Sequence, residues 1–279
     1  MAPPPQVTQW LQRAYPRPRV DQEWLNDCYN WVREEYNYEP ATHMDQIIHN
    51  VDIQLLESDL RDSMVPGTGL PQISPDTKET TIRGPVLVQV LSIMEIGQSA
   101  FSLMSVRQAK LERADMAGLA GEEDDEDEGP IPSYPRSMLR FELTDGSVTL
   151  PAVEHRRLPD FKLGESRLGL KMILKNVPVR RGIAFLEPKC VVMKGHHVAD
   201  LEAFQDRNFA RALRERMRYV YNASFHAIAE QTHDTHTACL TSQPPTSQSH
   251  KPKSRRQSRR HPHTPLHVRQ NARQHQAYA

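Results

Sequence analysis

The feature that most constrains this chain is a long interruption between two strand-like segments. Val86 to Ile96 reads as a strand, and its evident continuation, Ser137 to Leu143, follows only after 40 intervening residues. Strands of one small sheet are usually joined by about two to six residues. A connection of this length inside a compact domain is either disordered or functional, so residues 99–135 become the first candidate for a functional segment.

This insertion has an acidic centre and apolar flanks. The centre, Glu122 to Glu128, is seven consecutive acids, most simply a solvated, self-repelling spacer, with imitation of nucleic-acid charge as the alternative. Apolar flanks are poorly solvated, so either a protein partner buries them or they pack on their own domain. The candidate partner-binding residues are Ser99, Phe101, Leu103, Met104, Val106, Leu111, Ile131 and Tyr134.

Residues 1–63 are predicted to be helical. Apolar side chains recur there at steps of three and four residues, most clearly from Trp24 to Tyr36, which is the pattern of amphipathic helices. Asp21 stands where it can cap the second of three predicted helices. A three-helix bundle of this size is either a structural buttress or a binding module. Residues 64–83, rich in Pro, Gly, Ser and Thr, then read as a connector.

Residues 84–197 are dominated by short strands. The predicted strands are Val86–Ile96, Ser137–Thr144, Ser147–Val153, Leu170–Asn176, Ile183–Leu186 and Cys190–Lys194. Asp145-Gly146 is a hairpin signal, because a tight turn needs the positive φ that glycine adopts cheaply. Such strands are typical of a Greek-key barrel of the oligonucleotide/oligosaccharide-binding (OB) type. The predicted fold class is α+β, a helical bundle followed by an OB-type barrel with a long inserted loop, 99–135.

The C-terminal part divides into a helix and a tail. Residues 198–222 read as a charged helix. Residues 223–279 are rich in polar residues and proline, which predicts a disordered tail that cannot bury enough apolar surface to fold. The residues after Asp234 include eight Lys or Arg and no acid, a charge of +8, and the remainder of the chain carries −8, of which the acidic run supplies seven. The folded part is therefore close to neutral, which argues against a strong grip on phosphate.

The sequence carries no motif of a catalytic or cofactor site. It has no Gly-rich phosphate loop, nucleophile elbow or HExxH helix, and its three cysteines are far apart,. We therefore expect no enzyme activity, no metal, no cofactor and no small-molecule substrate. No signal peptide or apolar run of membrane-helix length is present, so a soluble intracellular protein without a membrane partner is expected.

Direct nucleic-acid binding by the barrel is the alternative function. A barrel that binds single strands usually offers aromatic rings for base stacking and cations along a groove. The outward positions of the predicted hairpin lack such rings; they are Arg140, Glu142, Ser147 and Thr149. The candidate nucleic-acid contacts form a modest basic rim of Arg156, Arg157, Lys162, Arg180 and Arg181.

Three stretches of the strand-rich region stand in a recognisable order. They are GPVLVQVLSIMEIGQSAF from Gly84, YPRSMLRFELTDG from Tyr134 and LKMILKNVPVRRGIAFLEPKCVVMKG from Leu170. Together with the preceding helices, from Trp10 to Gly195, they resemble the RecQ-mediated genome instability protein 1 family in a fungal form. The resemblance lies in the order of helices, barrel and insertion, and includes no catalytic signature.

The resemblance implies a non-catalytic nuclear subunit in DNA repair, recombination and replication. Its implied partners are a type IA topoisomerase III and a RecQ-family helicase, with which it would stimulate decatenation and the dissolution of double Holliday junctions. In that family the inserted loop acts on the topoisomerase gate, which would place residues 99–135 at the partner interface. A weak contact with DNA is compatible with the basic rim and tail.

Overall fold

The computed structural model describes residues 2–117 and 132–219. The acidic run, Ile131 and the basic tail therefore lie outside the described residues. The described chain begins with four helices: α1 (Pro5–Ala14), α2 (Gln22–Tyr36), α3 (Met44–Glu57) and the single turn α4 (Leu60–Ser63).

The ends of α2 show how the sequence sets these helices. Asp21 accepts hydrogen bonds at Oδ1 from the backbone N–H groups of Glu23 (2.9 Å) and Trp24 (3.0 Å), so the predicted cap is confirmed. The helix ends where Asn37 takes a left-handed conformation with a φ of 50°, a residue type that tolerates this region. The buried side chains of α2 are Leu25, Tyr29 and Val32.

Eight strands follow and form one curled sheet. They are β1 (Thr80–Ile82), β2 (Val86–Glu95), β3 (Leu139–Thr144), β4 (Thr149–Glu154), β5 (Lys171–Leu174), β6 (Val177–Arg180), β7 (Ile183–Leu186) and β8 (Val191–Gly195). Their order is β1-β6-β7-β4-β3-β2-β5-β8, with β4 and β7 parallel. β5 and β6 stand near opposite ends of this order, yet only residues 175–176 separate them in the chain. The sheet therefore curls around an apolar core that includes Phe141 and Phe161. The predicted OB-type fold is confirmed.

Two strands of the sheet, β1 and β6, were not predicted from the sequence. β1 lies in the stretch 64–83, which composition assigns to a connector, and its Thr81 stands opposite Pro178 of β6. A strand of three residues is too short to display a period of two, and proline weakens the strand signal of β6. The connector therefore contributes an edge strand to the sheet.

The β3–β4 pairing confirms the predicted hairpin, but its turn is longer than predicted. Thr144 stands opposite Thr149, so four residues make the turn. Asp145 Oδ1 accepts hydrogen bonds from two N–H groups of the turn, at residues 147 and 148. Gly146 has a φ of +99°, and a Cβ there would lie 2.2 Å from the carbonyl oxygen of Leu60. Glycine is required here by both conformation and close approach.

The helices and the sheet share an apolar core. Leu87 of β2 and Ile173 of β5 are buried in the same cluster as the inner faces of α1, α2 and α3. Gln89 of β2 accepts a hydrogen bond from the N–H of Leu60 (3.0 Å) and donates one to Asp59 Oδ1 (2.8 Å). The helical region thus packs as a buttress on the sheet.

Lys171 is a fully buried cation on β5. Its Nζ donates to the carbonyl oxygen of Gly169 at 2.8 Å. Burial lowers the pKa of this ammonium from 10.5 to about 8, and the nearby carboxylates of Asp59 and Glu57 oppose the shift. Burial thus makes the protonated form of Lys171 less favourable in the folded chain than in the unfolded chain.

This burial predicts a specific pH dependence of stability. Between about pH 8 and pH 10.5 the unfolded chain binds more protons at Lys171 than the folded chain does, so this group makes the free energy of unfolding rise with pH. We expect Lys171→Met to raise the free energy of unfolding near pH 7 by about 1–3 kcal/mol, since it removes a buried charge. The advantage of the variant should shrink towards about pH 10. Urea unfolding of both proteins across this range measures it.

Cys28 adds a second pH dependence to the stability measured in that experiment. Burial raises the pKa of its thiol to about 12, which makes stability fall above the ordinary thiol pKa. Because this effect is present in both proteins, it cancels in the difference between them. A difference that stays constant from neutral to alkaline pH would contradict the assignment to Lys171.

The insertion begins as a helix rather than as the predicted loop. Helix α5 (Ala100–Ala117) starts after Ser99, whose Oγ accepts a hydrogen bond from the N–H of Ser102 at 3.0 Å. The predicted C-terminal helix is also different, because α6 (Ala199–Ala203) is separated by a turn at Phe204 from a second helix, α7, residues 205–219. In the described residues no helix is long and apolar enough to cross a membrane.

Candidate functional site: the base of the insertion

One buried carboxylate ties the two ends of the insertion together. Glu95, the last residue of β2, is fully buried. Its Oε1 accepts hydrogen bonds from the N–H groups of Gly97 (2.7 Å) and Met138 (3.0 Å), and its Oε2 accepts one from Ser137 (2.7 Å). Hydrogen bonds to an ionised acceptor are stronger than neutral ones. The insertion therefore leaves and rejoins the sheet at one fixed point.

A buried ion pair fixes the returning end. Arg136 donates hydrogen bonds to the carboxylate of Glu154 and to the carbonyl oxygens of Phe161 and Leu158, the last at 3.1 Å. Glu154, almost completely buried, also accepts from the N–H groups of Leu158 (2.5 Å) and Leu139 (3.2 Å). The pair joins the end of the insertion to β4 and to the segment that follows it.

Helix α7 holds the first half of α5. Leu103 of α5 and Leu213 of α7 are both fully buried in one apolar cluster. Beside them Arg107 forms a bidentate pair with Asp206, with Nε–Oδ1 at 2.7 Å and Nη2–Oδ2 at 2.5 Å. This hydrogen-bonded pairing raises the pKa of Arg107. A pair with two parallel hydrogen bonds fixes the relative orientation of the two helices as well as their distance.

Two further contacts join α7 to the base of the insertion. Arg216 donates to the carbonyl oxygens of Glu95 (2.6 Å) and Gln98 (2.8 Å). The ring of Tyr134, at the returning end, meets Phe209 edge to face with centroids 5.5 Å apart. Burial raises the pKa of the Tyr134 phenol. Both ends of the insertion are thus held by the same helix.

The structure divides the sequence-predicted partner residues into two groups. Leu103 is fully buried, and Met104 and Tyr134 pack against the same α5–α7 cluster. Ser99 caps α5, and Val106 is half-buried. These residues support the helix.

The remaining apolar residues of α5 are available to a partner. Phe101 is 73% exposed and Leu111 38% exposed. Sequence reasoning missed Met116, which is 62% exposed on α5, and Met138, which is 42% exposed at the end of the insertion. Met116 could have been found from a helical reading of the insertion, because it lies fifteen positions after Phe101. That spacing is about four helical turns and places both residues on one side of a helix.

The basic rim is compensated by carboxylates at several of its positions. All five predicted cations are exposed. Arg156 lies 3.7 Å from Glu187, Lys162 3.1 Å from Glu165 and Arg180 3.2 Å from Glu79. On the outward face of the hairpin the described side chains of β3 and β4 are not aromatic; they are Arg140, Glu142, Thr149, Pro151 and Val153. This arrangement does not favour base stacking.

A cleft of about 1070 Å³ lies between α5, α7 and the outer side of β2 and β3. Its lining mixes apolar side chains with charges of both signs; examples are Ile93, Phe209, Lys110, Arg140, Glu142 and Glu215. Within residues 2–117 and 132–219, no group of three or more His, Cys, Asp or Glu side chains is arranged to hold a metal ion. The geometry is that of a rigid base that presents a helix.

Two family models match the chain. Residues 70–209 match the model described as "RMI1, N-terminal OB-fold domain", and residues 9–63 match "RMI1, N-terminal helical domain". The boundary between them falls in the connector.

Similar proteins carry the name RecQ-mediated genome instability protein 1. The Xenopus laevis protein is 30% identical over 199 residues, which are 71% of this chain and 34% of that protein. The Gallus gallus protein is 30% identical over 75% of this chain and 32% of its own length. The Schizosaccharomyces pombe protein is 22% identical over 72% of this chain and 90% of its own length. The chain thus matches about a third of the length of the vertebrate relatives and most of the yeast one.

Proposed function

This chain belongs to the RMI1 family, and we propose that it is a non-catalytic scaffold subunit in genome maintenance. The family resemblance supports a complex with a type IA topoisomerase III and a RecQ-family helicase in the nucleus. In it, the insertion would act on the topoisomerase gate and so stimulate decatenation and the dissolution of double Holliday junctions. The name shared by the relatives points to the RecQ pathway for those proteins.

The observation that carries this proposal is a helix with exposed apolar side chains on a rigid base. Phe101, Leu111 and Met116 expose apolar surface on α5, while Glu95 and α7 fix where that helix begins. Exposed apolar groups on a preorganised element favour binding because little conformational entropy is lost on association. The contact residues we propose are therefore these three, with Leu103, Met104 and Tyr134 in a supporting role.

The test replaces the exposed set while leaving the base intact. In a triple variant with Phe101→Ser, Leu111→Ser and Met116→Ser, we expect the Kd for the cognate topoisomerase III to rise about tenfold or more, since apolar anchors dominate interface energies. Decatenation by the topoisomerase and helicase together should fall in parallel. Affinity is measured by calorimetry, and decatenation with interlinked circular DNA.

A matched control removes exposed apolar groups elsewhere. Ile183 and Val192, on β7 and β8, are 38% and 41% exposed, so Ile183→Ser with Val192→Ser changes the apolar surface without touching α5. This control should retain affinity and decatenation. A triple variant that folds, with unchanged circular dichroism, and still binds like the control would remove α5 from the interface.

A further inference from the structure

An aromatic ladder lies at the end of α2, remote in sequence from the insertion. It consists of Trp31, Tyr36, Tyr38 and His43. Trp31 meets Tyr36 edge to face at 6.2 Å, Tyr36 stacks on Tyr38 at 5.4 Å, and Tyr38 stacks on His43 at 5.3 Å. Tyr38 packs against the helical core, which anchors the ladder.

The first two rings of the ladder are exposed to solvent. Trp31 is 44% and Tyr36 45% exposed. Folding does not require this exposure, because the apolar face of α2 is already formed by Leu25, Tyr29 and Val32. Large aromatic rings at the surface are characteristic of binding hot spots.

Acidic side chains surround the exposed tryptophan. Asp27 precedes Trp31 by four residues, and Glu34 and Glu35 follow it by three and four, so all three share its side of the helix. All three are exposed. Glu39 adds a further exposed carboxylate between Tyr38 and His43.

The whole stretch is strongly negative. Residues 21–60 contain ten Asp or Glu residues and a single basic residue, Arg33, giving a net charge of −9 without histidine. The guanidinium of Arg33 lies over the ring of the buried Tyr29, 5.6 Å from its centroid.

These observations decide between two kinds of partner. Aromatic rings can stack on nucleic-acid bases, but a surface of this charge repels phosphate. The π faces of the same rings attract cations, and the surrounding carboxylates attract cations over a longer range. Aromatic and acidic groups together favour a guanidinium or ammonium group.

We propose that the aromatic ladder is a docking site for an arginine- or lysine-containing peptide segment of a partner protein, with Trp31 and Tyr36 as the cation-binding rings. This inference does not depend on the proposed action of the insertion. It gives the helical region a binding role in addition to its packing as a buttress.

The test measures binding of a defined cationic probe. The probe is a fluorescein-labelled octapeptide of alternating arginine and serine, and its matched control has citrulline in place of arginine, which keeps the shape and removes the charge. In both the reference chain and the variants, the acids of Glu122 to Glu128 are replaced by Gln and Asn, so that this second acidic run cannot bind the probe. Anisotropy then reports the affinity of the full chain.

We expect the arginine peptide to bind and the citrulline peptide not to bind. Trp31→Ala should weaken binding about tenfold, and Glu34→Gln with Glu35→Gln should weaken it and flatten its salt dependence. Tyr36→Ala gives a second ring variant should Trp31→Ala alter folding. Phe204→Ala, which removes an exposed ring that precedes α7, should leave the affinity unchanged.

Three outcomes would overturn the proposal. One is equal binding of the citrulline and arginine peptides. Another is equal affinity of the folded Trp31→Ala, Tyr36→Ala and Phe204→Ala variants for the arginine peptide. The third is binding of an oligo-dT strand that exceeds peptide binding and is lost in Trp31→Ala, which would assign the ladder to nucleic acid.

Discussion

Replacing Arg136 by methionine is expected to lower the free energy of unfolding by about 3–5 kcal/mol, because it leaves a buried carboxylate without its cation. The Glu154 carboxylate would keep its hydrogen bonds from two N–H groups but lose the guanidinium. The carbonyl oxygens of Phe161 and Leu158 would lose a donor as well. Equilibrium unfolding in urea, followed by circular dichroism, measures the change.

An exposed ion pair of the same type provides the control. Arg180 and Glu79 have side chains that are 61% and 62% exposed, so Arg180→Met should change stability by no more than about 0.5 kcal/mol. The double variant Arg136→Met with Glu154→Gln should recover part of the loss, because no uncompensated charge remains. Equal stabilities of Arg136→Met and Arg180→Met would contradict the role of burial.

Replacing Leu213 by alanine is expected to detach α5 from α7. A buried leucine truncated to alanine typically costs about 2–5 kcal/mol, and here Leu213 packs against Leu103 of α5. If the helix opens locally, amide exchange in residues 100–117 should accelerate by about 30-fold or more, while amides of β2 and β3 remain protected. Hydrogen exchange resolved by mass spectrometry measures both.

A control on the same helical segment tests the specificity of this effect. Phe204 precedes α7 and is 47% exposed, so Phe204→Ala should leave exchange in α5 unchanged. If α5 must be held to bind a partner, Leu213→Ala should also weaken topoisomerase binding without changing any exposed residue. Equal protection of α5 in the two variants would show that α7 does not hold it.

The parts of the fold that could be predicted are those whose secondary structure is indicated by a local sequence pattern. The alternation of Leu139, Phe141 and Leu143 identifies β3, and all three residues are fully buried. The spacing of apolar residues from Trp24 to Tyr36 likewise identifies α2, and Asp21 before it identifies the cap. By contrast, β1 has three residues, and its place in the sheet depends on a partner strand almost a hundred residues later.

The candidate site was less predictable, because its residues are distinguished by their partners. Phe101 and Leu103 stand two residues apart in an apolar stretch, yet one is 73% exposed and the other fully buried. Leu103 packs in one apolar cluster with Leu213, which lies more than a hundred residues away in sequence. Glu95 carries no motif, and its function as a clamp follows from three N–H groups that the fold brings to its carboxylate.

The sequence by itself determined where the sheet is interrupted, because strand periodicity on both sides of residues 97–136 is a local property. It also determined the order of helices, strands and insertion by which the family is recognised. Only the tertiary structure decided that the insertion begins as a helix, which side of that helix is covered by α7 and which side is exposed. Burial depends on contacts between residues far apart in the chain, and a pattern within one segment does not contain them.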